Sequence, residues 1–291
     1  MRLRILLLTL SFFLLGAAAA PVLAQQDILV PIPMKPKPKP KPKPKPKPKP
    51  RTNKPSAAQT REAILNCLVA NMVRVEGGTF TMGATAEQGS DARDNEKPTH
   101  PVVLSDFYIG KYEVTQAEWK AVMGTNPSEF KGDNLPVENV NWYDCQEFIR
   151  KLNELTGKQF RMPTEAEWEY AARGGKRSYG AKYAGGSDID NVGWYKENSN
   201  KTTHPVGQKR SNELGLYDMS GNVWEWCQDW YGGYSSASET NPQGGSFGFQ
   251  RVYRGGSSNY GAEDCRLSYR HAAFPDACYF RIGFRLALSI L

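Results

Sequence analysis

The sequence predicts one α+β domain over residues 72–291, with a large share of irregular structure. Three helix-opening motifs and two short strand-like stretches account for the regular elements. After Gly175 the periodicity fades, and the chain becomes rich in Gly, Asn, Ser, Tyr and Trp. Loops this abundant in one domain usually need a metal, disulfides or buried aromatic rings to hold them.

Residues 1–24 have the pattern of a secretory signal peptide, because Arg2 and Arg4 precede an apolar run that ends in small residues. The run is also long enough to span a bilayer, so an uncleaved anchor is the alternative. Residues 25–55 are predicted to be a disordered linker, since the Lys-Pro repeat of residues 35–50 favours an extended chain of mutually repelling lysines. We therefore expect an exported protein, whether periplasmic, cell-surface or secreted, that meets a membrane only through an uncleaved N-terminal segment.

The linker carries most of the positive charge. The first 54 residues hold twelve Lys and Arg against Asp27, so the remainder has a net charge of −4 although the whole chain has +7. This distribution argues against a nucleic-acid partner for the folded part.

The folded part begins with a capping box, Ser56 to Gln59, which predicts a short amphipathic helix over residues 56–71. Residues 72–82 alternate apolar and polar side chains around a Gly-Gly pair, a pattern that predicts a hairpin. Residues 102–109 have the apolar content of a strand. Together these stretches predict the N-terminal part of the domain.

Three further helices are predicted to begin at Thr115, Asn141 and Thr164 and to end at glycines. Cys145 falls on the apolar face of the second, where a buried thiol or half of a disulfide is expected. The five cysteines show no spacing typical of a zinc site. The residues expected to point inward are Trp119, Val122 and Met123; Cys145, Phe148, Ile149, Leu152 and Leu155; and Trp168, Ala171 and Ala172.

Five segments, in order along the chain, resemble the formylglycine-generating enzyme family, also called sulfatase-modifying factors. They are residues 72–83, 161–175, 215–231, 251–257 and 282–287. The resemblance implies a distorted C-type-lectin-like fold with little regular secondary structure, often carrying calcium. It also implies the oxidase activity of the family's best-known members, in which a cysteine pair binds copper(I) and a sulfatase cysteine becomes formylglycine with molecular oxygen.

The copper site of that family is incomplete in this chain. Counting from Ser257, which matches the family's active-site serine, the second family cysteine falls on Cys265 and the first on Tyr260. A phenol oxygen is a poor ligand for copper(I), which prefers soft thiolates. Cys278 is another thiol, but nothing in the sequence places it beside Cys265. Cys265 and Ser257 are therefore catalytic candidates only if the chain is active, and otherwise Cys265 is a structural thiol.

The resemblance implies calcium more directly. One calcium site of the family maps to two carboxylates and two backbone carbonyls, the oxygen ligands that calcium prefers. The alternative is that the glutamate of this site, Glu225, pairs with Arg173 or caps a loop. That site comprises Asp218, Gly221, Val223 and Glu225. A second family site has an asparagine in place of a carboxylate, which lowers its charge. It comprises Asn191, Val192, Asn198 and Asn200.

Other proteins with this fold, the variable proteins of diversity-generating retroelements, vary surface positions near a segment similar to Ile282–Arg285. Residues 271–274 and 277–281 contain residue types that adenine-directed mutagenesis yields, so this region is a candidate binding face. His100 and His204 are too scattered for a catalytic or zinc cluster and are expected on the surface or in turns. The candidate contact residues are Tyr260, His271, Phe274, Tyr279, Phe280 and Arg281.

The leading hypothesis is an exported domain of this family that lacks the two-cysteine copper site and binds an exported protein or a surface ligand. One alternative is an active formylglycine-generating oxidase with a sulfatase polypeptide as its partner. A structural component of the cell envelope is the third interpretation, for which the Lys-Pro repeat is the specific indication.

Overall fold

The structure, a computed structural model, describes residues 56–290, so the predicted signal peptide and Lys-Pro linker lie outside the described residues. Within this range no helix is both long and apolar enough to cross a bilayer. The helices are α1 (Ala57–Ala70), α2 (Gln116–Met123), α3 (Trp142–Thr156), α4 (Glu165–Ala172) and α5 (Ile189–Val192). The strands are β1 (Met72–Val75), β2 (Gly78–Met82), β3 (His100–Leu104), β4 (Phe107–Gly110), β5 (Phe160–Arg161), β6 (Trp224–Trp230), β7 (Glu239–Thr240), β8 (Arg251–Arg254), β9 (Arg270–Ala273), β10 (Ile282–Gly283) and β11 (Ala287–Ser289).

The first four helices begin at the predicted residues. Each N-cap side chain accepts a hydrogen bond from the backbone N–H three residues on. The side chain of that third residue in turn accepts a hydrogen bond from the backbone N–H of the N-cap residue. Gly124 and Gly157 end α2 and α3 with φ of 79° and 66°, a conformation that glycine adopts without strain. The predicted inward faces of the helices are mostly buried, but Leu155 is 43% exposed because it lies in the last turn of α3.

The predicted hairpin over residues 72–82 is wrong. Strand β1 pairs with β4, whereas β2 pairs with β3 in a different sheet. Gly77 packs so closely on the following segment that an added Cβ would lie 2.2 Å from the carbonyl oxygen of Leu104. The glycine is therefore required by a close backbone approach where the chain crosses between sheets, and not by a tight turn.

The described strands form three small sheets, with orders β1-β4-β11-β5, β10-β6-β8-β9 and β2-β3-β7. In the second sheet, β8 is antiparallel to both β6 and β9, and β10 is parallel to β6. This register places Tyr253 between Trp226 and His271. The sequence indicated no regular elements after Gly175, because β6 is buried on both faces and lacks the alternation that identifies a half-exposed strand.

Aromatic rings fill much of the core. Trp119 stacks on Phe148 with centroids 5.2 Å apart, and both pack against Phe284 near the C-terminus. All eight residues of α4 are buried, so this short helix runs through the interior. The five cysteines are all free thiols, with Cys145 buried and unpaired.

Candidate functional site

A surface groove of about 540 Å³ lies beside the sheet β10-β6-β8-β9. All six predicted contact residues line it, although they come from three separate segments of the chain. They are Tyr260, His271, Phe274, Tyr279, Phe280 and Arg281. Four of their rings are between 44% and 59% exposed, so the groove presents aromatic surface directly to solvent.

The floor of the groove is built from buried aromatic side chains on β6 and β8. The Trp224 ring meets Tyr253 and Tyr260 edge-on, with centroid distances of 5.1 and 5.2 Å. The Tyr253 hydroxyl is 2.8 Å from His271 Nδ1, and the two rings stack. Burial raises the pKa of Tyr253, so its hydroxyl stays protonated and available as a hydrogen-bond donor.

Trp224 and Tyr253 belong to the groove, but sequence reasoning selected neither of them as a contact residue. The strand register supplies the missing signal, since Tyr253 lies opposite His271 in the β8–β9 pair. That pairing joins residues 18 positions apart and depends on the fold. Sequence spacing alone could not place them together.

Arg281 forms one end of the groove. Its backbone has φ of +67°, and its Nη2 donates to the Lys201 carbonyl at 2.6 Å. Its guanidinium lies 5.3 Å from the centroid of the Phe130 ring, and its buried Nε has no partner. Among the described residues that line the groove, Arg281 and His271 are the basic groups and none is acidic. The groove therefore favours a ligand with aromatic or apolar surface and a hydrogen-bond acceptor or negative charge.

The two positions of the family's cysteine pair have different surroundings. Tyr260 lines the groove, whereas Cys265 is fully buried outside the groove lining, in a cluster with Tyr183, Ile189 and Val192. Burial, and then the Asp264 and Glu263 carboxylates, raise the pKa of the Cys265 thiol. This thiol is therefore held in its protonated form, which binds metals poorly.

The remaining groups do not complete a copper site. The Ser257 hydroxyl is buried without a hydrogen-bond partner and does not line the groove. Cys278 is exposed in the groove's loop, and the thiol whose pKa it influences is that of Cys145, not Cys265. Within residues 56–290, no group of three or more His, Cys, Asp or Glu side chains is arranged to hold a metal. The residues present do not fit a two-thiolate copper centre.

The first candidate calcium site, which contains Asp218 and Glu225, retains one carboxylate oxygen without a hydrogen-bond partner. Asp218 Oδ2 accepts a hydrogen bond from the Gly207 N–H at 2.7 Å, while the buried Oδ1 has no partner. Burial raises the pKa of Asp218 to about 6. Glu225 accepts from Arg285 Nη2 at 2.5 Å and from Trp168 Nε1 at 2.6 Å, so it does not pair with Arg173. Asp218 thus offers a hard cation one unpartnered oxygen, whereas both oxygens of Glu225 already accept hydrogen bonds.

Sequence reasoning missed a third carboxyl group near this set. Glu113 is buried and accepts hydrogen bonds from the Val223 N–H at 3.0 Å and the Asn222 amide at 2.7 Å. Burial, and then the charges of Asp218 and Glu225, raise its pKa well above the usual range. The Arg285 guanidinium lowers the pKa of Glu113, and three buried carboxyl groups, Glu113, Asp218 and Glu225, act together with this buried cation.

In the second candidate calcium site, the Asn198 side-chain oxygen and the Asn191 carbonyl already accept hydrogen bonds from the backbone. Asn198 Oδ1 accepts from the Tyr195 N–H at 2.9 Å, and its amide nitrogen donates to the Gly193 carbonyl at 3.0 Å. The Asn191 carbonyl accepts from the Arg210 N–H at 3.0 Å. Val192 is buried in α5, and Asn200 is exposed with φ of +55°.

Short sheets joined by long irregular segments agree with the C-type-lectin-like fold that the family resemblance implies. Residues 57–290 match the sulfatase-modifying factor enzyme 1-like domain, so the chain belongs to the sulfatase-modifying-factor family. The family resemblance and the fold class predicted from the five motif segments are confirmed.

Relatives in this family have diverse names. The chain is 38% identical over 211 residues to a chaperone protein LppX of Paenibacillus barcinonensis, a match that covers 55% of this chain and 72% of the relative. It is 31% identical over 285 residues to a formylglycine-generating enzyme of Streptomyces coelicolor, a match that covers 74% of this chain and 88% of that enzyme. A serine/threonine-protein kinase Pkn1 of Chlamydia trachomatis is 33% identical over 257 residues, but that match covers 77% of this chain and only 39% of the kinase.

Solved structures show the same fold. Treponema denticola variable protein 1 superposes with a TM-score of 0.69 at 32% identity, covering 75% of this chain and 95% of that protein. PvdO from Pseudomonas aeruginosa superposes with a TM-score of 0.65 at 28% identity, and the match covers 75% of this chain and 94% of PvdO. The fold is thus shared by proteins whose names indicate different roles.

Proposed function

We propose that this chain is an exported binding module of the sulfatase-modifying-factor family, without the copper chemistry of the oxidases, and that it recognises its ligand in the aromatic groove. The observation that carries the proposal is the convergence of Tyr260, His271, Phe274, Tyr279, Phe280 and Arg281 on that groove. The ligand is an exposed segment of an exported protein or a surface ligand, with apolar surface and an acceptor for Arg281.

The composition of the groove supports binding. Exposed aromatic rings are costly to leave in water unless a partner covers them, and aromatic and arginine side chains concentrate binding energy at interfaces. The Phe280 ring is 59% exposed and adjoins Arg281. Their removal from water on binding would supply most of the affinity.

Two relatives support the same interpretation. The relative with 38% identity is named a chaperone protein. The structural neighbour with a TM-score of 0.69 is named a variable protein. Neither name indicates oxidase chemistry.

The oxidase is the second candidate, because the chain covers 88% of a formylglycine-generating enzyme. The test is turnover of a sulfatase peptide containing Cys-x-Pro-x-Arg, with copper(I) and oxygen. We expect no aldehyde, since Tyr260 replaces one thiolate and Cys265 is buried. Aldehyde that disappears in Cys265→Ala would overturn the binding-only proposal.

Binding is tested with a phage-displayed library of random peptides panned against the chain beginning at Gln25. Peptides enriched on this protein are expected to bind Phe280→Ala at least about tenfold more weakly, a loss of roughly 1.4 kcal/mol or more. Phe247→Ala is the matched control, because Phe247 is also highly exposed but does not line the groove. Peptides that bind both variants as well as the original chain would show that the groove is not the binding site.

Export and calcium are parts of the same proposal. N-terminal sequencing of the chain recovered from expressing cells is expected to begin at Gln25, whereas a membrane-bound chain that retains Met1 would show the uncleaved anchor.

Calcium would be held by the Asp218 and Glu225 carboxylates and the carbonyls of Gly221 and Val223. Bound there, it would balance the excess of buried acidic groups.

A further inference from the structure

A second cavity, of about 250 Å³, shares no lining residue with the aromatic groove. It lies among the ends of β3, β6 and β7, the start of α4 and the segment 232–245. Four glycines line it, and the absence of side chains at these positions keeps the space open. They are Gly232, Gly233, Gly244 and Gly245.

A buried carboxyl group faces this cavity without a basic partner. Asp229 is only 4% exposed, and its Oδ2 accepts a hydrogen bond from the Glu165 N–H at 2.8 Å. No described residue donates a hydrogen bond to its Oδ1, and none forms a salt bridge with it. A Cβ added at Gly244 would lie 3.0 Å from this oxygen, so the glycine leaves its side of the carboxyl group open.

The nearby guanidinium groups are already paired. Glu165 accepts from Arg254 Nη1 at 2.9 Å and from Arg270 Nε at 2.7 Å. Arg270 Nη1 also donates to the Gly232 carbonyl at 2.7 Å. The charges of these two arginines are therefore balanced by Glu165 and the backbone. Arg251, which also feels the Asp229 charge, lies over the Trp230 ring and donates to the Gln228 carbonyl. Asp229 thus forms no ion pair with any described residue.

The other lining groups favour an organic cation. Glu239 adds a second carboxyl group, and Trp230, Tyr234 and His100 contribute ring surfaces. His100, which the sequence indicated as a surface or turn residue, is 3% exposed and packs against Tyr234 at a tilted angle, with ring centroids 4.8 Å apart. Aromatic rings attract organic ammonium groups, and carboxylates accept their hydrogen bonds.

We propose that this cavity binds the ammonium group of a small organic amine, with its N–H donors directed to Asp229 Oδ1. The cavity is close to the lower end of the size range of small-molecule sites, about 300 Å³. The site does not depend on the function proposed for the groove, since the two share no lining residue.

Proton release provides a specific signature of this site. Burial and then the Glu165 carboxylate raise the pKa of Asp229 to about 8, with a further contribution from Glu167 and an opposing one from Arg270. The other titratable groups that line the cavity are His100, Glu239 and Tyr234. An ammonium ligand requires the ionised carboxylate, so binding at pH 7 is expected to release about one proton.

The test is isothermal titration of the whole chain with n-butylammonium chloride, in two buffers of different ionisation enthalpy. We expect a dissociation constant on the order of 1 mM and at least about tenfold weaker binding of the neutral analogue 1-butanol. Potassium chloride at equal concentration is not expected to displace the amine. Equal binding of butanol, displacement by potassium, or failure of the amine to bind would each overturn the proposal.

Two variants locate the site. Asp229→Asn keeps an oxygen for the Glu165 N–H but removes the charge, so we expect at least about tenfold weaker binding of butylammonium and no proton release. Gly233→Leu is expected to fill the cavity and abolish binding, and a Cβ at Gly233 would meet no atom within 4 Å, so the fold should tolerate it. Asp133→Asn, which changes an exposed carboxylate, is the matched control and should bind normally. Unchanged binding by Asp229→Asn and Gly233→Leu would place the amine elsewhere.

Discussion

Buried arginines hold much of the irregular C-terminal part of the chain. The Glu225 carboxylate, for example, accepts from both Nε and Nη2 of Arg285, in a bidentate pair that is almost fully buried. Such pairs fix the position of loops that lack backbone ladders, because a guanidinium group offers several donors in one plane. The arginines involved are Arg254, Arg266, Arg270 and Arg285.

The cysteines should differ sharply in reactivity. Cys265 is buried with its pKa raised, whereas Cys67 and Cys278 are exposed. Because the thiolate is the reactive form, iodoacetamide should label Cys67 and Cys278 in the folded chain well before Cys265. Mass spectrometry of peptides after timed labelling checks this order, with a urea-unfolded sample as the control. Early labelling of Cys265 would contradict its placement in the core.

Asp229 should make stability depend on pH. The folded chain retains this proton up to about pH 8, whereas an unfolded Asp releases it near pH 4. The folded state therefore binds more protons in this window, and the free energy of unfolding falls as the pH rises, by at most about 1.4 kcal/mol per pH unit from this group. Asp229→Asn should stabilise the protein more at pH 8 than at pH 5, as measured by urea unfolding. An equal effect at both pH values would show that Asp229 titrates normally.

At the scale of elements, single ion pairs connect distant segments. Arg266 binds both carboxylate oxygens of Glu96, at 2.8 and 2.7 Å, and its Nη2 also donates to the Asp91 carbonyl at 3.0 Å. These contacts attach the segment 86–96, which contains two 3-10 helices, to the segment that follows β8. Three further pairs hold the same loop, but the Arg266–Glu96 pair is the one in which both side chains are fully buried; the others are Arg173–Glu87, Arg93–Asp264 and Lys182–Asp91.

Arg266→Met should therefore destabilise the fold by about 3–5 kcal/mol, because it leaves the Glu96 carboxylate buried without a partner. The double variant Arg266→Met/Glu96→Gln should recover part of this loss, since it removes the unpaired charge. Arg74→Met is the control, because its pair with Asp106 is largely exposed and should matter little. Urea unfolding monitored by tryptophan fluorescence measures all three. A similar loss in Arg266→Met and Arg74→Met would contradict the anchoring role.

At the scale of the whole domain, calcium should contribute to stability if it binds the Asp218–Glu225 segment. Calcium at about one hundred times its dissociation constant would add roughly 2.7 kcal/mol, which raises the melting temperature by about 5–10 °C for a domain of this size. Differential scanning calorimetry with calcium and with EGTA measures the shift. Asp218→Asn, which removes the carboxylate with the unpartnered oxygen, should reduce it. An unchanged melting temperature on chelation would argue against a bound stabilising ion.

Much of the domain could be predicted from local sequence. The caps at Thr115, Asn141 and Thr164 identify three helices, because capping depends on residues only three positions apart. The motif segments identify the family because their order and spacing are specific. The prediction of a hairpin at Gly77 was wrong for the opposite reason. This glycine is required by a close backbone contact with residues about 30 positions away in the sequence.

The sequence by itself determined the fold family and the starts of the first four helices, and it has Tyr260 where the family resemblance implies a cysteine, because each is a property of residue identity and spacing. Only the tertiary structure decided that six dispersed residues share one groove, that Cys265 is buried outside it, and that Glu113 and Asp229 are buried acids near proposed cation sites. These features arise from pairing between distant strands and from burial. Neither depends on local spacing, because both are set by long-range packing of the whole chain.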